Sequence, residues 1–160
     1  MNSYGEAESG TSGMAQIPDI LVVDASVVVK WFIEGEVLGE QATALWSRHI
    51  RQEAMLLAPS HIHCEVPSAI IAATRGRVAR LTREQGRDAI EEFLSVRLRT
   101  APTKELVLPA FELSQGYDVS IYDALYVALA ADYRIPLITA DAKLVQKLAD
   151  LQYVRWLGDL

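Results

Sequence analysis

Four acids in this sequence stand where ordinary structural use accounts for them poorly: Asp24, Glu65, Asp123 and Asp141. Asp24 closes the apolar run ILVV and opens DAS, and Asp141 follows the apolar end of LITAD. An aspartate after a strand also serves as an ordinary turn or helix cap. Asp123 lies three residues after Ser120, the spacing of a capping box. Yet the stretch that follows, ALYVALAA, is apolar all round, as a buried helix is. Glu65 is the most telling of the four. Ile62, Val66, Ala69, Ile70 and Ala73 recur at helical spacing, and Glu65 falls inside that stripe. A carboxylate on a core face must be paired, protonated or ligated to a metal. No lysine or arginine immediately adjoins any of the four, so acids brought together would repel. A hard cation such as Mg²⁺ or Mn²⁺ resolves that conflict, because it takes oxygen ligands and keeps waters. Carboxylate-held metals activate water and stabilise in-line displacement at phosphorus.

The elements that must position these acids follow from periodicity and capping. Strands are predicted over 20–23, 55–58, 96–100, 136–139 and 153–157. Helices are predicted over 38–52, 60–74, 82–94, 105–115, 120–133 and 141–148. Ser60 reads as an N-cap, and Thr82 with Gln85 as a capping box. Pro67, inside its predicted helix, removes one backbone hydrogen bond. Strands alternating with helices imply crossovers and a parallel sheet. The expected class is α/β: a three-layer α/β/α sandwich around a mostly parallel, roughly five-stranded sheet. In such sheets ligands sit beyond the carboxyl ends of the strands, where Asp24 and Asp141 fall.

The chain has 160 residues and 51% hydrophobic composition, enough for a single core. Residues 14–160 read as one domain. Residues 1–13, rich in Gly, Ser and Glu and without periodicity, read as a disordered extension, with Met14 an alternative start. No apolar run approaches the roughly 20 residues of a membrane span, and no secretory signal is apparent. The single cysteine, Cys64, excludes an internal disulfide, fits a cytoplasmic protein and reads as a small buried hydrophobe. His61 and His63 lack the further ligands of a zinc site, and on a helix they point about 200° apart. Trp31 and Phe32 are read either as core packing or as a partner surface.

A net charge of −6 and a pI near 5.0 argue against nucleic acid when taken alone. The charge is uneven, however. Arg75 to Lys104 holds eight bases against four acids, a local +4 in a chain that is −10 elsewhere. The plain explanation is a solvated helical face. The functional one has Arg75, Arg77 and Arg80 guiding RNA to the acidic edge.

Four segments together carry a resemblance: VVDASVVVKWF, HCEVPSAI, SIYDALYVALA and PLITADAKL. The chain resembles the PIN-domain ribonucleases, and within them the VapC toxins of bacterial toxin–antitoxin modules, over about residues 18–157. The resemblance implies a parallel α/β/α sandwich and Mg²⁺- or Mn²⁺-dependent endonucleolytic cleavage of RNA phosphodiesters. It also implies silencing by a small cognate antitoxin and, with the surplus of apolar positions, a homodimer. Carried over by motif, the acids are Asp24, Glu65, Asp123 and Asp141, with Ser26 and Thr139 as supporting hydroxyls. One departure stands out: the family often has Asn three residues after the helix glutamate, and here Ser68 occupies that place. Two rival readings use the same scaffold. An aspartate-nucleophile phosphatase built on Asp24 leaves Glu65 and Asp123 without a role. A non-catalytic interaction module leaves the complete acid set unexplained.

Overall fold

The computed structural model describes residues 19–160, so the extension expected over 1–13 lies outside the described residues. Five strands form one sheet: β1 (Asp19–Val23), β2 (Ala54–Pro59), β3 (Arg99–Ala101), β4 (Leu137–Thr139) and β5 (Val154–Trp156). Their order is β3-β2-β1-β4-β5, and every neighbouring pair is parallel. The central strand β1 pairs Val22 with Leu57 on one side and with Leu137 on the other. Its buried run Leu21-Val22-Val23 is apolar because a central parallel strand is covered on both faces.

The helices are α1 (Ala25–Val28), α2 (Gly39–Ile50), α3 (Ile62–Ala73), α4 (Arg83–Ser95), α5 (Thr103–Tyr117), α6 (Ile121–Tyr133) and α7 (Ala142–Lys147). From β1 the chain steps outward to β2 and β3. Helices α5 and α6 then carry it back across to β4 on the far side of β1. The direction of travel therefore reverses between β1 and β4, which opens a crevice at their carboxyl ends.

Helix α6 is the internal pillar of the fold. Its residues Ala124 to Ala130 are buried in unbroken succession, as their all-round apolarity predicts. Burial of side chains such as Leu125, Val127 and Leu129 contributes roughly 1.5–3 kcal/mol each. Helix α4 opens on the expected capping box: Thr82 Oγ1 accepts from Gln85 N at 3.1 Å, and Gln85 Oε1 accepts from Thr82 N at 2.8 Å. Gly86 lets α4 close on α3, since a Cβ there would stand 2.5 Å from Thr74 Cγ2.

Some local expectations change. Ser60 does not cap α3; the cap position is His61, and the Ser60 hydroxyl pairs with Thr103 Oγ1 at 3.0 Å, tying α3 to α5. A hydroxyl 43 residues away in the sequence replaces the local backbone partner. Helix α3 runs through Pro67 to Ala73. The third strand covers 99–101 instead of 96–100, because Val96 still closes α4. The ASVV turn of α1 was not predicted: β-branched residues are weak helix formers, and its Val27 and Val28 are held by burial. Trp31 and Phe32 take the packing role. Trp31 lies 4.7 Å from Trp46 by ring centroid and donates to Ala42 O, while Phe32 meets Phe93 edge-on.

Candidate metal centre

Asp24 leaves the end of β1 directly into the crevice between β1 and β4, and it is only 6% exposed. Two hydroxyls converge on its Oδ2: Ser26 Oγ donates at 2.6 Å and Thr139 Oγ1 at 2.7 Å. The same hydroxyls fasten the two strand ends together. Ser26 Oγ accepts from Ala140 N and Thr139 Oγ1 from Asp141 N. Both expected supports therefore stand beside Asp24. Burial nevertheless dominates its charge. It pushes the carboxyl up to about 6 from an ordinary 3.8; the two hydroxyls lower it, and the charges of Asp123 and Glu65 raise it further.

Glu65 sits at the edge of the α3 stripe with 29% of its side chain exposed. It is a rim residue and not a core one. Its Oε2 accepts from the Tyr126 hydroxyl at 2.6 Å. His61 Nε2 lies 3.0 Å from the same oxygen but is out of line for a hydrogen bond, and is left buried without a partner. Burial first, then the charges of Asp24 and Glu65, hold the Tyr126 hydroxyl firmly protonated. Asp123 takes part in the N-terminal cap of α6. Its N–H donates to Ser120 Oγ at 3.1 Å, capping α6, and its Oδ2 accepts from the Ser120 hydroxyl at 2.6 Å.

Asp141 differs from the other three. It is exposed, and its Oδ1 accepts from Lys143 N at 2.9 Å and Leu144 N at 3.1 Å as the N-cap of α7. The carboxylates that act on Asp24 are those of Asp123 and Glu65. Glu65 and Asp123 thus bear on Asp24, whereas Asp141 caps its own helix.

The donor set suits a hard divalent cation. On each of the four acids the hydrogen bonds gather on one oxygen, and the other takes none among the described residues. Among the described residues no lysine or arginine forms an ion pair with any of the four. As the side chains stand, no group of three or more acids, histidines or cysteines among the described residues is arranged to hold an ion. The anchoring partners explain this: Glu65 is turned to Tyr126, Asp123 to Ser120 and Asp141 to its own helix.

The basic residues are distributed less simply than expected. Arg75 and Arg77 are exposed. Arg80 is engaged in an ion pair with Glu36, which also meets Lys30 at 3.3 Å. Arg75 joins Arg83 and Arg87 around a cleft of about 520 Å³ between α3 and α4, floored by Ile70 and Ile90. Sequence reasoning missed Tyr126 and His61. Their spacing carried the signal: Tyr126 is one turn after Asp123, and His61 one turn before Glu65.

The sequence profile of the PIN domain family matches residues 21–150. The chain belongs to the PIN domain family. This PIN domain is 34% identical over 127 residues to Ribonuclease VapC12 of Mycobacterium tuberculosis, covering 79% of this chain and 91% of that protein. Its fold superposes on the crystal structure of Mycobacterium tuberculosis VapC20, described as a Sarcin-Ricin loop cleaving toxin. The TM-score is 0.61 at 18% identity, over 84% of this chain and 96% of that one. A toxin–antitoxin complex from Klebsiella pneumoniae gives a TM-score of 0.56 at 17% identity, over 84% and 95% of the two chains. The α/β sandwich read from the sequence is thus the PIN fold.

Proposed function

We propose that this PIN domain is a metal-dependent endoribonuclease and the toxin of a toxin–antitoxin pair. One observation carries the reading: Glu65 of α3 and Asp123 of α6 both bear on the buried Asp24 at the end of β1, and none of the three forms an ion pair with a lysine or arginine among the described residues. Each keeps one oxygen without a protein partner. Family membership and the ribonuclease names of its relatives supply the substrate class. Asp24, Glu65 and Asp123 would hold Mg²⁺ or Mn²⁺, with Asp141 contributing its free oxygen. When bound, the ion supplies positive charge against the phosphodiester and a water of lowered pKa.

The chain's own residues prepare that site. Ser26 and Thr139 fix the Asp24 carboxylate and clamp the strand ends. The Ser120 hydroxyl fixes Asp123. Arg75 and Arg77 attract the RNA backbone in a salt-dependent way. The toxin role is supported by the VapC relatives and by the structural likeness to a toxin–antitoxin complex. A small antitoxin would meet the acidic edge through an arginine that pairs with these carboxylates. A homodimer is supported by Val107, Leu108 and Phe111, which lie exposed on α5. No helix among the described residues is long and apolar enough to cross a membrane.

The test is cleavage of a structured RNA by protein shown free of host nucleases. Cleavage is expected to stop in EDTA and to return with Mn²⁺. Cleavage that persists in EDTA would overturn the metal reading. A folded protein that cuts no RNA, with Mg²⁺ or Mn²⁺ present, would leave an interaction module.

A further inference from the structure

Tyr126 belongs to no expected set of metal-binding acids, yet it stands at the centre of this site. It is 1% exposed, within the stretch Ala124–Ala130 of α6 that is buried without a break. A buried tyrosine hydroxyl needs a partner, and here the donor bond goes to Glu65 Oε2 at 2.6 Å, across 61 residues of sequence. Tyr126 thus ties α6 to the glutamate borne by α3. The ring is held by burial, and it pairs edge-on with the His61 ring at 5.0 Å between centroids. His61 Nε2 stands 3.0 Å from the same Glu65 oxygen, out of line for a hydrogen bond and without a partner.

We propose that Tyr126, with His61 beside it, is the positioning residue for Glu65, holding Oε2 so that Oε1 is the oxygen offered to the cation. The proposal rests on the metal-dependent reading above. A glutamate on a helix surface has three side-chain torsions, and its conformational freedom opposes ligation. A buried neutral donor that cannot ionise removes that freedom without adding charge. A lysine or arginine in this place would compete with the cation for Glu65. The protein around a metal's carboxylate ligands commonly orients them by such hydrogen bonds.

The decisive variant is Tyr126→Phe, which removes one oxygen and keeps the ring. Mn²⁺ affinity is read by isothermal titration on metal-free protein, in wild type, Tyr126→Phe, Glu65→Ala and the double variant. Loss of a hydrogen bond that orients a ligand costs about 10- to 100-fold in metal affinity, so Tyr126→Phe is expected to bind Mn²⁺ at least about tenfold more weakly. In the Glu65→Ala background the same change is expected to cost nothing further, because Tyr126 acts through Glu65. Steady-state cleavage should follow: at saturating Mn²⁺ kcat recovers, and KM for RNA is unchanged. Wild-type affinity in Tyr126→Phe, or an equal loss in both backgrounds, would overturn the proposal while leaving the metal site intact. A wild type that binds no Mn²⁺ would overturn both. Should Tyr126→Phe lose its cooperative melt, His61→Gln on the site's half-buried rim takes its place. A loss of affinity confined to the Glu65-containing protein upholds the clamp, and no loss overturns it.

Discussion

Asp24 and Asp141 occupy matching places at the ends of two adjacent parallel strands, and the protein treats them in opposite ways. Asp24, after β1, is buried under two hydroxyls and carries a carboxyl pushed up to about 6. Asp141, two residues after β4, is exposed and caps a short helix through two backbone N–H groups. Lost solvation, and to a lesser degree neighbouring carboxylates, oppose charge at Asp24, whereas Asp141 stays in solvent and accepts two backbone N–H bonds. One acid stores unfavourable free energy in the metal-free protein; the other contributes to stability. A site that holds a cation needs the first kind, and its folding tolerates only a few of them.

The comparison is broken most sharply at Asp24. Asp24→Asn keeps an acceptor for Ser26 and Thr139 but removes the charge. RNA cleavage is expected to fall by on the order of a hundredfold or more, since several kcal/mol of charge stabilisation goes with it. The metal-free variant is nevertheless expected to melt several degrees above wild type in a calorimetric scan. Lower stability and retained cleavage would show that Asp24 is an ordinary turn residue.

The pH dependence of the metal-free protein separates the two acids next. A carboxyl raised from 3.8 to about 6 on folding stabilises the native state when protonated. That contribution is complete below pH 3.8 and is lost as pH rises through about 6. At about 1.4 kcal/mol per pH unit it amounts to at most roughly 3 kcal/mol. Denaturant unfolding of wild type between pH 4 and 7 should show this decline, and Asp24→Asn should lack it. Replacing Asp141 should leave it unchanged.

At Asp141 two substitutions divide one residue's functions. Asp141→Ala removes the cap and is expected to cost about 1 kcal/mol of stability. Asp141→Asn keeps the cap and the stability, so any fall in its Mn²⁺ affinity belongs to the free oxygen alone. An unchanged affinity would make Asp141 a cap and nothing more. The smallest effect is expected away from the strand ends: Arg75→Ala with Arg77→Ala should weaken RNA binding a few-fold at low salt, flatten its salt dependence and leave Mn²⁺ binding unaltered. A salt series read by fluorescence anisotropy would show this.

Much of the fold was legible because its signals are local. The β-branched run of β1, the Thr82–Gln85 capping box and the all-round apolarity of α6 each act within a few residues, so the strand–helix alternation and the parallel sheet follow from the chain alone. Glu65 inside an apolar stripe, and acids at two strand ends, likewise announced a charged site. The sequence by itself determined which acids are available and that two of them, Asp24 and Asp141, follow the carboxyl ends of strands. Tertiary structure decided their roles, because solvation and charge–charge interaction depend on distances that spacing along the chain does not encode. Only the packing of α6 against β1 and β2 shows that Asp24 feels Asp123 and Glu65, that Asp141 stays in solvent, and that Tyr126 reaches Glu65. The same holds for Arg80: within a basic run it reads as free for RNA, but the fold sets it against Glu36.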